Sequence, residues 1–316
     1  MCNDRNGLLK SPLIDRGTRS SVGPCEVRCG RTCDANPEGV QVMRRRMFRQ
    51  VDVFTKVPFL GNPLAVVLDG NDLSTEEMQG FTRWTNLSEA TFVLPAVDPK
   101  ADYRVRIFTG SGELPFAGHP TLGTCHAWLE AGGTPQGSEI VQECGLGLVR
   151  ISRMGGRLAF AAPTRRRFGA VGEEELVTIS RALGINRKDI IDHSWCDNGP
   201  EWRAILLKSA EQVLALRPDP SILGDIKLGI VGPHSGGDCA FEVRAIYGTE
   251  EDPVTGSLNA AVAQWLIGGG HAPDRYVASQ GAALGRAGRV HIERDPTGEI
   301  WVGGDTVTCI EGTVIV

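Results

Sequence analysis

Four side chains stand where a proton or an anion can be handled. Glu89 precedes the apolar, β-prone run 91–94, which puts a carboxyl at a strand mouth. His119 follows Gly118 at the head of a helix-forming run, where Pro120 suits the first turn and the leading backbone N–H groups have no intrahelical acceptor. Asp252 and Ser257 flank Pro253 and Gly256 at the head of a second apolar run. A helix N-terminus attracts a carboxylate or a phosphate. A carboxyl set between two such ends and partly desolvated has its pKa raised toward neutrality, the range wanted in a general acid or base. Taken singly, each residue also has a plain role: Glu89 as a solvated strand end, His119 as a structural histidine, Asp252 as a helix cap, Ser257 as a cap on backbone groups.

These residues depend on strand–turn–helix units. Residues 105–108 read as a strand. The stretch 112–123, Gly-Glu-Leu-Pro-Phe-Ala-Gly-His-Pro-Thr-Leu-Gly, reads as a tight turn into a helix that runs past residue 129 and closes at Gly132-Gly133. The construction recurs at 243–257. In both copies a proline is followed by two residues, a glycine and a hydroxyl residue: Pro120-Thr121-Leu122-Gly123-Thr124 and Pro253-Val254-Thr255-Gly256-Ser257. Both run into an apolar helix carrying a tryptophan, Trp128 or Trp265. Two related halves are expected, each presenting a helix N-terminus to one cleft suited to a small anionic substrate.

The rest of the chain supports a globular reading. Its 316 residues suffice for two ordinary domains, and 41% hydrophobic with 22% charged residues is a soluble composition. A net charge of −5 without a basic stripe argues against nucleic-acid binding. No apolar run nears the roughly 20 residues that span a bilayer, so no membrane partner is expected. Residues 1–46 lack hydrophobic period and read as an extension that is disordered or lies upstream of a natural start at Met47. Cys25, Cys29 and Cys33 have no fourth ligand nearby to complete a tetrahedral set, so no metal is expected there. Cys125, Cys144, Cys196, Cys239 and Cys309 sit singly in apolar contexts and read as reduced core residues of a cytoplasmic protein. Ser74 to Glu77 forms a capping box, 173–183 an amphipathic helix, and 162–167, with its arginine run, a solvated crossover. Short strands surround two central apolar helices, an α+β pattern without regular βαβ alternation.

Taken together, Asn86-Leu87-Ser88-Glu89, Phe116-Ala117-Gly118-His119-Pro120-Thr121, Glu251-Asp252-Pro253-Val254-Thr255-Gly256-Ser257, Gln280-Gly281 with Gly285-Arg286, and Val302-Gly303-Gly304 resemble the phenazine-biosynthesis PhzF family from Met47 to the C-terminus. The resemblance implies a diaminopimelate-epimerase-like fold of two pseudo-symmetric domains, each a curved, mostly antiparallel sheet wrapped around a central helix. The first domain would span 47–162, completed by 299–316, and the second 163–298. It further implies a cofactor-independent, metal-free isomerase acting on trans-2,3-dihydro-3-hydroxyanthranilate or a similar small carboxylated substrate, and a homodimer. By the match, Glu89 would be the proton shuttle, assisted by His119 and Asp252, with Ser88, Gly118, Gly256 and Ser257 at the substrate.

Two other functions stand beside this one. Amino-acid epimerases and racemases of the same fold look for a cysteine at each central helix N-terminus. Here those places hold Gly118-His119 and Asp252-Pro253, and Cys125 falls further into its helix. A ligand-binding or interaction protein that keeps the fold without turnover is the third possibility. The Gly-rich segment 109–112 departs from the family pattern at the cleft rim, where substrate choice is set.

Overall fold

The structure, a computed structural model, describes residues 43–316. Its strands pair in one order, used twice. In the first half, Arg45–Val53 lies antiparallel to Asn62–Val67, which runs parallel to Glu89–Leu94 across the helix Thr75–Thr85. Glu89–Leu94 is antiparallel to Tyr103–Thr109, which makes a hairpin with Glu113–Leu114. The helix Gly118–Glu130 follows; then Ile140–Cys144 returns parallel to Tyr103–Thr109 and continues antiparallel through Gly147–Met154 to Arg157–Ala161.

The second half repeats each step. Asp192–Cys196, Trp202–Leu206, Leu228–Pro233 and Phe241–Tyr247 pair antiparallel, parallel, antiparallel. The hairpin Glu250–Asp252 and the helix Gly256–Gly268 come next. Arg275–Gln280 then returns parallel to Phe241–Tyr247 and leads antiparallel through Gly288–Arg294 to Ile300–Gly304. The halves join where Ile300–Gly304 pairs with Arg157–Ala161, and the last strand, Thr306–Ile315, returns to Arg45–Val53.

Each central helix is buried on nearly every face. That is what an apolar helix without a polar stripe must do, and a curved sheet around it supplies the cover. Glycine and alanine allow close approach: a Cβ at Gly123 would lie 2.7 Å from Leu64 of the sheet. Among the described residues no helix is long and apolar enough to cross a membrane.

Several expectations change. The repeat exists in a different register. Both helices begin at the glycine, so Gly118 matches Gly256 and Pro115 matches Pro253, whereas Pro120 lies inside the first helix. The same offset relates Arg106 to Arg244 and Glu113 to Glu251. Both pairs form two-pronged ion pairs within the hairpin ahead of each helix, at 2.8 and 2.6 Å in the first and 2.9 and 2.7 Å in the second. Order also begins before Met47, because the last strand extends to pair with Arg45 and Arg46. The Arg46 guanidinium is buried and donates to the carbonyls of Asp69 and Asn71. Strands Asp192–Cys196 and Arg275–Gln280 have no counterpart in the periodicity reading. Cys144 and Cys309 are only half-buried, while Cys125, Cys196 and Cys239 are core residues as expected. In the arginine run, Arg167 stacks 3.3 Å above the Trp195 ring, so it is not simply solvated. Cys25, Cys29 and Cys33, with the rest of 1–42, lie outside the described residues.

Candidate active site

The two helix starts touch. A Cβ on Gly118 would lie 2.8 Å from the Cα of Gly256, and a Cβ on Gly256 would lie 2.8 Å from the Cα of Gly118. Only glycine allows that approach. The N-cap residues, Ala117 and Thr255, make no side-chain cap bond to their helices. The first N–H groups of both helices therefore open on one spot between the halves, where an anion would complete them.

Glu89 and His119 meet beside this junction. Glu89 opens its strand opposite Thr109, and its side chain is 15% exposed. Its Oε2 lies 3.4 Å from Nε2 of the buried His119, and neither atom has a hydrogen-bond partner. Burial, and secondarily the negative charge of Asp252, raises the Glu89 carboxyl to about 8. Burial lowers His119 to about 3, so its imidazole is neutral. Asp252 is also raised by burial, against the opposing effect of hydrogen bonds from Thr255 and Asn62. The Tyr247 phenol is raised by burial and, secondarily, by the charges of Asp252 and Glu89.

The second half holds its side of the junction through a polar network. Thr255 Oγ1 donates to Asp252 Oδ2 at 2.6 Å. Gln280 donates from Nε2 to the Asp252 carbonyl (3.0 Å) and to Thr255 Oγ1 (2.9 Å). Its Oε1 accepts from the Thr255 N–H and from Asn259. Gln280 thus takes one backbone donor of the second helix out of play and fixes Asp252. Asn62, from the first half, donates to Asp252 Oδ1 at 2.8 Å and to the Val254 carbonyl at 2.9 Å, and its Nδ2 is 3.3 Å from His119 Nδ1.

The structure brings Glu89, His119, Asp252, Gly118 and Gly256 together. Ser257 lies in the first turn of the second helix; its Oγ accepts from the Trp202 indole at 3.2 Å, and its carbonyl accepts from Asn198 at 2.9 Å. Ser88 is exposed next to Glu89. Asn62, Thr255, Asn198, Trp202 and Tyr247 are not among the site residues expected from the sequence, and Gln280 enters there only as part of a family motif, without a role. Asn62 lies in Gly61-Asn62-Pro63, where asparagine is an ordinary turn residue, so its local signal was ambiguous. Cys125 is buried inside the first helix, and burial pushes its thiol up to about 12, far from a reactive thiolate.

The family model described as "Phenazine biosynthesis-like protein" matches residues 51–312. The chain is 36% identical over 293 residues to Antisense-enhancing sequence 1 of Schizosaccharomyces pombe, across 85% of this chain and 99% of that one. It is 33% identical over 279 residues to trans-2,3-dihydro-3-hydroxyanthranilate isomerase of Pseudomonas aeruginosa, across 83% of this chain and 96% of that one. The crystal structure of a PhzF-family phenazine biosynthesis protein from Bacillus anthracis shares the fold at a TM-score of 0.74 and 23% identity, covering 87% of this chain and all (100%) of that one. The fold is α+β and diaminopimelate-epimerase-like, with the two-fold repeat described above. With its fold, its motifs and the matched length in agreement, the chain belongs to the phenazine biosynthesis-like family that includes PhzF.

Proposed function

We propose that this protein is a cofactor-independent isomerase that moves a proton within a small carboxylated substrate, with Glu89 as the shuttle. One observation carries the reading: Glu89 Oε2 and His119 Nε2 face each other at 3.4 Å, buried and without hydrogen-bond partners, beside two touching helix N-termini. Unpartnered buried polar atoms are costly, and a substrate bound there would relieve them. The N–H groups around Gly118 and Gly256 would hold the carboxylate, with Ser257 at the rim and Ser88 beside Glu89.

In the reaction, ionised Glu89 takes a proton from one carbon. The C–H electron pair enters the adjoining π system, and the fixed N–H dipoles stabilise the charge that develops. The same carboxyl returns the proton to a second carbon on that face, which restores the carboxylate without net redox change. His119 and Asp252 assist. No cofactor is invoked, and a cytoplasmic homodimer is the expected form.

The test is NMR in deuterium oxide with trans-2,3-dihydro-3-hydroxyanthranilate and the full chain. Loss of substrate with deuterium entering the ring is expected, and Glu89→Gln should abolish both while the protein stays folded. Retained turnover in Glu89→Gln would remove Glu89 from this role. A second reading is a protein that keeps the fold and binds such a ligand without turning it over. That reading predicts carboxylate binding, no exchange, and a biological effect unchanged by Glu89→Gln. An amino-acid epimerase would instead exchange an α-proton and be sensitive to thiol reagents, and the buried Cys125 argues against it.

A further inference from the structure

We propose that Asn62 is a positioning residue that decides which nitrogen of His119 carries the proton and thereby makes His119 a donor, never a base. The inference rests on reading Glu89 and His119 as the reacting pair. Asn62 is fully buried, at 0% exposure. Its Nδ2 stands 2.8 Å from Asp252 Oδ1, 2.9 Å from the Val254 carbonyl oxygen and 3.3 Å from His119 Nδ1. A backbone carbonyl only accepts, so the amide nitrogen must face Val254. Flipping the amide would set its oxygen against that carbonyl and against the Asp252 carboxyl together. The orientation holds although it leaves Asn62 Oδ1 without a partner.

His119 Nδ1 therefore faces a nitrogen that donates and cannot accept. A proton on Nδ1 would be buried with no acceptor, and an unmet buried donor is costly. The proton belongs on Nε2, the nitrogen opposite Glu89. Where a carboxylate accepts from Nδ1–H, the imidazole keeps Nε2 free to act as a base. Asn62 reverses that polarity. His119 then presents an N–H to the substrate, and Glu89 is left as the base. Because Asn62 comes from the first half and is held by Asp252 and Val254 of the second, the tautomer depends on both halves being assembled.

The test reads the tautomer directly, without substrate. The full chain is labelled with 15N-histidine, His119 is assigned by its loss in His119→Gln, and its two ring nitrogens are distinguished by long-range 1H–15N correlation. The expected wild-type signature is a neutral ring with the proton on Nε2. Asn62→Asp has nearly the same shape but offers an acceptor, so the proton should appear on Nδ1, alone or in the doubly protonated ring. A wild-type ring protonated on Nδ1 overturns the proposal, as does an unchanged tautomer in folded Asn62→Asp. If that variant does not fold, the wild-type spectrum decides. In whichever turnover assay the enzyme supports, Asn62→Asp should lower kcat at least roughly 10-fold with KM little changed, part of the 10²–10⁴ that a positioned proton donor contributes. The tautomer stands or falls separately from turnover, so failure of the isomerase reading would be distinguishable.

Discussion

Burial acts on Glu89 and His119 through their charged forms. It raises the carboxyl to about 8 and lowers the imidazole to about 3, so both are uncharged near neutral pH. If Glu89 begins the reaction as a base, kcat/KM of the free enzyme rises with pH and levels off above about 8. A profile that falls through that range would instead mark protonated Glu89 as the first donor. The same shift has a consequence for stability. The folded pKa lies above the ordinary 4.5, so between 4.5 and 8 the folded state holds a proton that the unfolded chain releases. Stability relative to Glu89→Gln is greatest below pH 4.5 and declines as pH rises to 8, by about 3–5 kcal/mol in all at 1.36 kcal/mol per unit. Urea midpoints of both proteins at pH 5 and pH 9 check this; a constant difference would show that the site does not hold the carboxyl protonated.

The helix starts and the hairpins before them are the elements that set this geometry. Gly118→Ala and Gly256→Ala each place a Cβ 2.8 Å from the opposing Cα, backbone against backbone, so the helices must part. About 1–3 kcal/mol of destabilisation is expected from such overpacking, with loss of turnover. Gly268→Ala, at the end of the second helix where nothing lies within 4 Å, should leave stability unchanged or slightly raised. Thermal melts of the three variants test the contrast. The two Arg–Glu braces make the same bond at different depths. Arg244 and Glu251 are 5% and 11% exposed, Arg106 and Glu113 26% and 39%. Removing one partner of a buried pair strands the other charge, so Arg244→Ala should cost about 3–5 kcal/mol. Arg106→Ala should cost no more than about 1 kcal/mol. Equal losses in denaturant titration would show that burial is not what separates them.

Closure of the sheet ties the first and last described strands together. Thr306–Ile315 pairs along the whole of Arg45–Val53, and the backbones of Arg44 and Val316 exchange hydrogen bonds at 2.9 and 3.0 Å. A chain shortened to begin at Met47 loses these pairings and the buried Arg46 that holds two loop carbonyls. It should be about 1–3 kcal/mol less stable than one beginning at Met43, because the backbone pairings of residues 44–46 and the two hydrogen bonds from the buried Arg46 guanidinium are lost. Equal urea midpoints would show that the added turn of strand carries no load.

Much of this was legible in residue order. The capping box at Ser74, the helix Glu173–Leu183 and the apolar strands are local signals, and local chemistry reports them faithfully. Glu89, His119 and Asp252 each have a plain role when taken singly, and it is the resemblance of the stretches around them to one family that marks them as a set. What tertiary structure alone decided is which of these groups meet and in what state. Asn62 has the local signature of a turn residue and Gln280 belongs to a motif that carries no role by itself, yet each makes its bonds across long stretches of chain. The register of the repeat, misplaced on Pro120, was settled by the contact between Gly118 and Gly256. The strands at 192–196 and 275–280 were drawn into the sheet by neighbours, not by their own periodicity. The pKa values of Glu89 and His119 come from burial, a property of the packed molecule that no residue's type contains.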